Sequence, residues 1–429
     1  MYRIPDQVLD ELRRKVDILG IISEHVKLRR SGRSFKGLCP FHSEKTPSFF
    51  VHPDKQMFYC FGCGKGGDAI KYVMLRDGLR YVEAVKLLAH SVGMEIETRP
   101  ETEEETRQRD ERELMMEAHQ QSLDFFTASL RSHPEAPIWR YLQARKLSPA
   151  IIEQFQIGYA PPGNLLSRHL IKLGFQASLL ARAGLVQLYE QGAGDRFRDR
   201  MMLPIHNPFG QVVGFGGRLL DDGQPKYLNS PETPLFQKGH LLFGLNLAKK
   251  AIHTQEHAIL VEGYMDVVAL VQAGIANVIA PLGTALTSDQ IHLLRRYTST
   301  VHLLFDGDNA GRQAAMRSVE LLLKEDYPEV RVIVLPIGKD PDDMVRDAGQ
   351  EGIRHFLDEA LPAIDFIIRI VSERRPATDP DARIRNLADI IPYLALLRST
   401  ARRSAYIGHV AARLGIPEQA VFDELRRHR

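Results

Sequence analysis

Ala258-Ile-Leu-Val-Glu-Gly263 and Thr300-Val-His-Leu-Leu-Phe-Asp-Gly-Asp-Asn309 bracket a middle apolar run that ends in a glycine turn, with helix-length segments between the three. Short runs of Val, Ile and Leu spaced this way indicate parallel strands of an α/β sheet. Right-handed crossovers place the carboxyl ends of such strands along one edge, where open sheets bind ligands. Glu262, Asp306 and Asp308 are expected to meet there. Carboxylates held together repel one another unless a cation lies between them. Hard oxygen ligands that leave room for water and phosphate suit magnesium, so this edge reads as a site of phosphoryl-transfer chemistry.

Two simpler readings compete with it. Asp308 or Asn309 could cap a helix beginning near Ala310. Asp306-Gly-Asp-Asn-Ala-Gly311 also resembles the start of a calcium loop. That loop fails at its fifth position, Ala310, and at its twelfth, Arg317, where an oxygen ligand and a glutamate are needed. Capping alone does not explain a second acid, Glu262, at another strand end.

A chain of 429 residues accommodates two to four domains. With 56 Lys and Arg against 54 Asp and Glu, any affinity for nucleic acid must come from local patches. The most apolar stretch, 258–286, is interrupted by Glu262, Asp266 and glycines, so no membrane span is expected. Asp6, Asp10 and Glu11 stand where a signal peptide would be apolar. Three cysteines argue against a disulfide framework and for a reducing, cytoplasmic setting.

All three cysteines fall in one pattern. Cys39-Pro-Phe-His42 and Cys60-Phe-Gly-Cys63 are two short-spaced pairs separated by a hairpin-length segment, the signature of a tetrahedral zinc ribbon. His52 lacks that spacing. Phe35, Phe49, Phe50, Phe58, Tyr59 and Phe61 lie among basic residues from Lys27 to Lys36. Alternation sends about half of such rings into a core; the others suit stacking on single-stranded nucleic acid.

The organisation expected is multidomain, α+β and α/β. A zinc ribbon spans 1–98 and a charged linker 99–113, either coil or an exposed helix start. As coil the linker would span roughly 20–25 Å. A mixed α/β part covers 114–256, a parallel α/β part 257–345 and a helical bundle 346–429. Within 195–250 eight basic residues face five acidic ones. Arg196, Arg198 and Arg200 alternate, so on a strand they would share a face and bind template or triphosphate. Gly338-Lys-Asp-Pro-Asp-Asp343 follows one more strand and should join the acidic edge.

Together these segments resemble bacterial replicative DNA primases. Glu262-Gly-Tyr-Met-Asp266, Asp306-Gly-Asp308 and Asp340-Pro-Asp342 resemble the Toprim fold of that family, and the stretch from Cys39 to Ser48 with Cys60-Phe-Gly-Cys63 resembles its zinc domain. Tyr159-Ala-Pro-Pro-Gly163, Arg196-Phe-Arg-Asp-Arg200 and Lys226-Tyr-Leu-Asn-Ser-Pro-Glu-Thr233 look like its polymerase signatures. The resemblance implies synthesis of short RNA on single-stranded DNA from ribonucleoside triphosphates, a nucleotidyl transfer. It implies one structural zinc on Cys39, His42, Cys60 and Cys63. It also implies two catalytic magnesium ions, with manganese as an alternative, on Glu262, Asp306 and Asp308, with Asp340 and Asp342 as further ligands. Arg196, Arg198, Arg200, Lys226 and Lys238 would line the template and nucleotide groove. A replicative helicase is the family's partner, but the C-terminal domain that binds it is expected to be missing. The rival readings are a Toprim DNA-nicking, topoisomerase-like enzyme, which needs a nucleophilic tyrosine, and a non-catalytic zinc and Toprim recombination scaffold.

Overall fold

The computed structural model describes residues 2–4, 6–95, 99–100, 102–190, 192–221, 223–376 and 379–428. The chain divides into two compact units, Met1–Asp110 and Glu111–Arg429.

In the second unit the acid-rich stretch forms a five-stranded sheet. Strand β1 (Ala258–Leu260) leads to helix α1 (Tyr264–Gln272) and β2 (Val278–Ile279) to α2 (Ser288–Arg295); β3 (Thr300–Leu304) leads to α3 (Asn309–Lys324) and β4 (Glu329–Ile333) to α4 (Pro341–Asp358). The order is β2-β1-β3-β4, all parallel, and Leu361–Pro362 adds an antiparallel edge beside β4. Strands covered on both faces read as unbroken apolar runs, and Ala258, Ile259, Leu260, Val301 and Leu303 are all buried. The crossovers leave Glu262, Asp306 and the loop before α4 beyond the same strand ends.

A four-stranded antiparallel sheet precedes it, built from Gly158–Ala160, Arg200–His206, Val212–Leu219 and Tyr227–Asn229. After α4 the chain is helical: Ala363–Arg374, Pro380–Leu396, Thr400–Leu414 and Glu418–His428. Their buried faces share one core with the parallel sheet.

The first unit carries an antiparallel meander of Arg29–Ser31, Ser34–Gly37, Phe49–His52, Met57–Cys60 and Gly66–Gly67. Alternation splits its rings: Phe49 and Phe58 are buried against Tyr72. On the opposite face, register aligns Arg29, Lys36, Phe50 and Tyr59 in one cross-strand row, and Phe61 packs against both rings of that row.

From residue 103 the charged stretch is helix and not coil. Residues Glu103–Ser132 form one 30-residue helix. Thr102 Oγ1 accepts the Glu105 N–H (3.2 Å) while Glu105 accepts the Thr102 N–H (3.1 Å), a capping box that starts the helix. Three acids in the first turn complement the helix dipole.

Candidate functional site: a carboxylate edge and a zinc ribbon

The acidic edge is assembled by backbone geometry. Glu262 Oε1 accepts the Asp306 N–H at 3.0 Å, fastening the end of β1 to the end of β3. Gly307 N–H donates to the Lys339 carbonyl at 2.9 Å, which brings in the loop before α4. Only glycine fits there, because a Cβ at Gly307 would run into the Pro336 carbonyl. Asp308 does cap α3, accepting the Gly311 N–H at 2.7 Å through Oδ1. Capping and membership of the cluster coexist.

Electrostatics ties these groups together. Burial, then the charges of Glu262, Asp340, Asp308 and Asp343, hold the Asp306 carboxyl up at about 7. Burial, then Asp306 and Asp340, does the same to Asp266, also to about 7. Burial raises Glu262 as well, opposed by the N–H of Asp306. Asp266 and Asp343 are thus additional members of the field. Asp266 stands inside the Glu262–Asp266 motif, where the sequence alone gives it no role; its carboxylate caps Gly263 at 3.0 Å and faces the others from the first turn of α1. Hard oxygen donors whose mutual repulsion favours protonation are the donor set a divalent cation satisfies.

This repulsion has a thermodynamic consequence. The unfolded chain releases these carboxyl protons near pH 4, whereas the folded chain keeps those of Asp306 and Asp266 until about pH 7. The resulting stabilisation is complete below the unfolded value and is lost as pH rises through the folded one. Without divalent cations, the main melting transition should fall between roughly pH 4 and 7 and level off above that, and magnesium should flatten that fall. Asp306→Asn should melt higher than the parent at pH 8, by roughly 2–4 °C per kcal/mol of repulsion relieved. Calorimetry across that range and at pH 8 checks this; a mutant that melts lower at pH 8 contradicts it.

Asp342 does not join the cluster. Proline at the first position of α4 starts the helix at once, and the first turn carries Asp342 away from the edge. It is buried and paired with Arg145, with Arg346 at 4.0 Å. Asp340 stays at the edge, accepting the Asp343 N–H at 2.6 Å. Expected as a further magnesium ligand, Asp342 is instead the acidic half of an ion pair between α4 and the preceding part of the core.

The arginine stripe is not a strand face either. Asp199 takes a left-handed conformation (φ 51°), so the chain turns before the strand that starts at Arg200. Arg200 is buried, and its guanidinium donates to the carbonyls of Gly217 (3.2 Å) and Pro225 (3.0 Å). It is a clamp inside the sheet. Arg196 donates to the Asn229 carbonyl (3.2 Å), and exposed Arg198 to Asn164 Oδ1 (2.9 Å). Lys226 is exposed and Lys238 half-buried. Asn229, inside the Lys226–Thr233 motif, bridges the two sheets: it donates to the Leu282 carbonyl and accepts from Tyr264 Oη, both at 2.9 Å. Tyr264 is buried, and burial holds its phenol well above the usual range, which is unfavourable for a nucleophile.

In the first unit Cys39, His42, Cys60 and Cys63 point their donor atoms into one space, all within 4.8 Å of one another. Cys39 Sγ lies 3.8 Å from Cys63 Sγ, and Cys60 Sγ 3.7 Å from His42 Nδ1. A zinc–sulfur bond of about 2.3 Å gives a tetrahedral edge of about 3.8 Å, so the set fits zinc. Burial pushes the Cys39 thiol up to about 12, and a donor that reluctant to ionise becomes a thiolate against a cation. His52 lies outside the set, bonded to Ser34 Oγ at 2.6 Å.

A zinc ribbon in one unit, and an antiparallel sheet followed by a Toprim-type acidic edge in the other, are the marks of a nucleic-acid-acting protein, and comparison with known proteins gives the family. Residues 4–104 match the CHC2 zinc finger, 125–249 the N-terminal domain of the DNA primase catalytic core, and 259–345 a Toprim-like domain. The DNA primase of Listeria monocytogenes is 37% identical over 436 residues, covering 100% of this chain and 70% of that protein. The zinc-binding and RNA polymerase domains of the Aquifex aeolicus primase superpose with a TM-score of 0.66 at 35% identity, covering 96% of this chain and 98% of theirs. A DnaG primase catalytic domain bound to single-stranded DNA gives 0.65 at 36% identity, covering 73% and 99%. The chain belongs to the bacterial DNA primase family.

One expectation is overturned. Residues 364–419 match the DnaB-helicase binding domain of primase, so this part of the family's architecture is present rather than missing. Periodic apolar positions in these helices encode their packing on the sheet, and that periodicity gives no sign of a partner. Among the described residues no helix is long and apolar enough to cross a membrane.

Proposed function

We propose that this primase lays down short RNA on single-stranded DNA from ribonucleoside triphosphates, with Glu262, Asp306 and Asp308 as its catalytic metal ligands and Asp340 beside them. The observation that supports this most is the direct bond of Glu262 to the Asp306 turn inside a carboxylate cluster, where burial and then the neighbouring charges raise Asp306 to about 7. Bound magnesium ions, with manganese as an alternative, supply activation of a 3′-hydroxyl and neutralisation of the departing pyrophosphate. The protein's part is to hold hard ligands apart at fixed strand ends and to keep cations away from Asp342, which Arg145 already neutralises. The buried Tyr264 supports polymerisation over strand nicking. Residues 364–419 are the surface proposed for a replicative helicase. The test is a reaction of single-stranded DNA, four ribonucleotides and magnesium: short RNA that requires all three supports the reading, and DNA nicking without RNA overturns it.

The groove's basic residues divide by exposure. Arg196, bonded to the Asn229 carbonyl, and Lys238 are half-buried and stay within the proposed groove, whereas exposed Arg198 and Lys226 are the ones available to phosphate. Removing Arg198 or Lys226 should weaken template binding and flatten its log–log salt dependence by about 0.7 for each phosphate no longer neutralised. Arg200→Ala should leave that slope unchanged and instead destabilise the fold by roughly 1–3 kcal/mol, since the buried Gly217 carbonyl loses a donor and the partly buried Pro225 carbonyl another. Binding isotherms across a salt series, with melting curves, separate the two groups; a changed slope for Arg200→Ala would return it to the groove.

A further inference from the structure

A histidine that ligates zinc through one ring nitrogen carries a proton on the other, and a carboxylate on that N–H fixes both tautomer and ring orientation. His42 has such a partner. Its Nδ1 faces the cysteines, while Nε2 lies 3.3 Å from Glu44 Oε2, on a side chain only 10% exposed. The same carboxylate reaches further. Oε1 accepts the N–H of Cys39 at 2.7 Å and that of Ser48 at 3.1 Å, and Oε2 accepts the Ser48 hydroxyl. Ser48 Oγ in turn accepts the Gly62 N–H at 3.1 Å and lies 3.3 Å from Cys60 Sγ. One carboxylate and one hydroxyl therefore link the knuckle of Cys39 and His42 to the knuckle of Cys60 and Cys63. Gly62 leaves the room: a Cβ there would sit 2.5 Å from His42 Nε2 and 2.8 Å from Ser48 Oγ.

We propose that Glu44 is the positioning residue of the zinc centre, selecting Nδ1 of His42 as the ligand atom and, through Ser48, setting the separation of the two knuckles. The proposal rests on zinc occupying the tetrad, and not on what the ribbon does for priming. A carboxylate is required because every group around it is a donor. Glutamine has the same shape, yet whichever way its amide is turned, an N–H meets a donor: the N–H groups of Cys39 and Ser48 on one side, or His42 Nε2–H and the Ser48 hydroxyl on the other.

The test uses the full chain. Zinc is titrated out with a chromophoric chelator, and Glu44→Gln should release it at roughly 10–100-fold lower chelator strength than the parent. Ser48→Ala should shift it in the same direction by less. Independently, long-range proton–nitrogen NMR of the zinc-loaded parent, with 15N-labelled histidine, should show His42 metallated at Nδ1 and protonated at Nε2, with that proton slow to exchange; this needs no variant to fold. In Glu44→Gln the same proton should exchange faster, which a loss of packing alone would not confine to that nitrogen. Unchanged zinc affinity in Glu44→Gln, or zinc on Nε2 in the parent, would overturn the proposal.

Discussion

Asp306→Asn should abolish RNA synthesis while the protein stays folded. Divalent metal contributes several kcal/mol to stabilising the charge that develops at the reacting phosphate, and each 1.36 kcal/mol is tenfold in rate, so a loss of roughly 10²–10³-fold or more is expected. The substitution keeps the side chain's size and the backbone N–H that Glu262 accepts, so the geometry of the edge survives while its charge falls. Glu262→Gln should behave alike. Asp342→Asn should not: it breaks the pair of buried Asp342 with half-buried Arg145, and its primary effect should be a lower melting temperature, by the equivalent of about 1–3 kcal/mol. Primer yield per folded protein separates the cases, and an Asp306→Asn enzyme working near the parental rate removes the assignment.

Cys60→Ser should uncouple starting a chain from extending one. Losing one ligand of a small metal domain removes much of its folding free energy, so the meander and its outer row of Arg29, Lys36, Phe50 and Tyr59 would be lost. Stacking of a base on an aromatic ring is worth about 1–3 kcal/mol, so losing two rings predicts initiation weakened by roughly thirty-fold or more. Extension of a supplied primer should fall much less, because the second unit has its own core. A fragment of residues 111–429 should reproduce the defect. Initiation at the same sites by fragment and whole chain would reduce the ribbon to a stability module.

How far these features can be read from the sequence follows from their range along the chain. The zinc tetrad is legible because two-residue spacing encodes a knuckle directly. Glu262 and Asp306 are legible because strand ends in a parallel sheet share an edge whatever the details. What stays hidden depends on single backbone angles or on distant partners. Arg196, Arg198 and Arg200 alternate in sequence, but the left-handed Asp199 ends that alternation before the strand begins. Asp342 differs from Asp340 only by the turn of a helix, and Arg145, nearly two hundred positions away, decides its role. Glu44 is adjacent to the zinc motif, but its hydrogen bonds form only when the knuckles close. The helix at 103–132 does have a local signal, Thr102-Glu-Glu-Glu105, masked by its charge.

Glu262, Asp306 and Asp308 are proposed to hold the catalytic cation jointly. Anomalous scattering from manganese soaked into crystals of the chain, with a nucleoside triphosphate present, tests it directly. Peaks coordinated by Glu262, Asp306 and Asp308 are expected, with no peak at Asp342. Manganese at Asp342, with the Glu262–Asp306 edge empty, would contradict it.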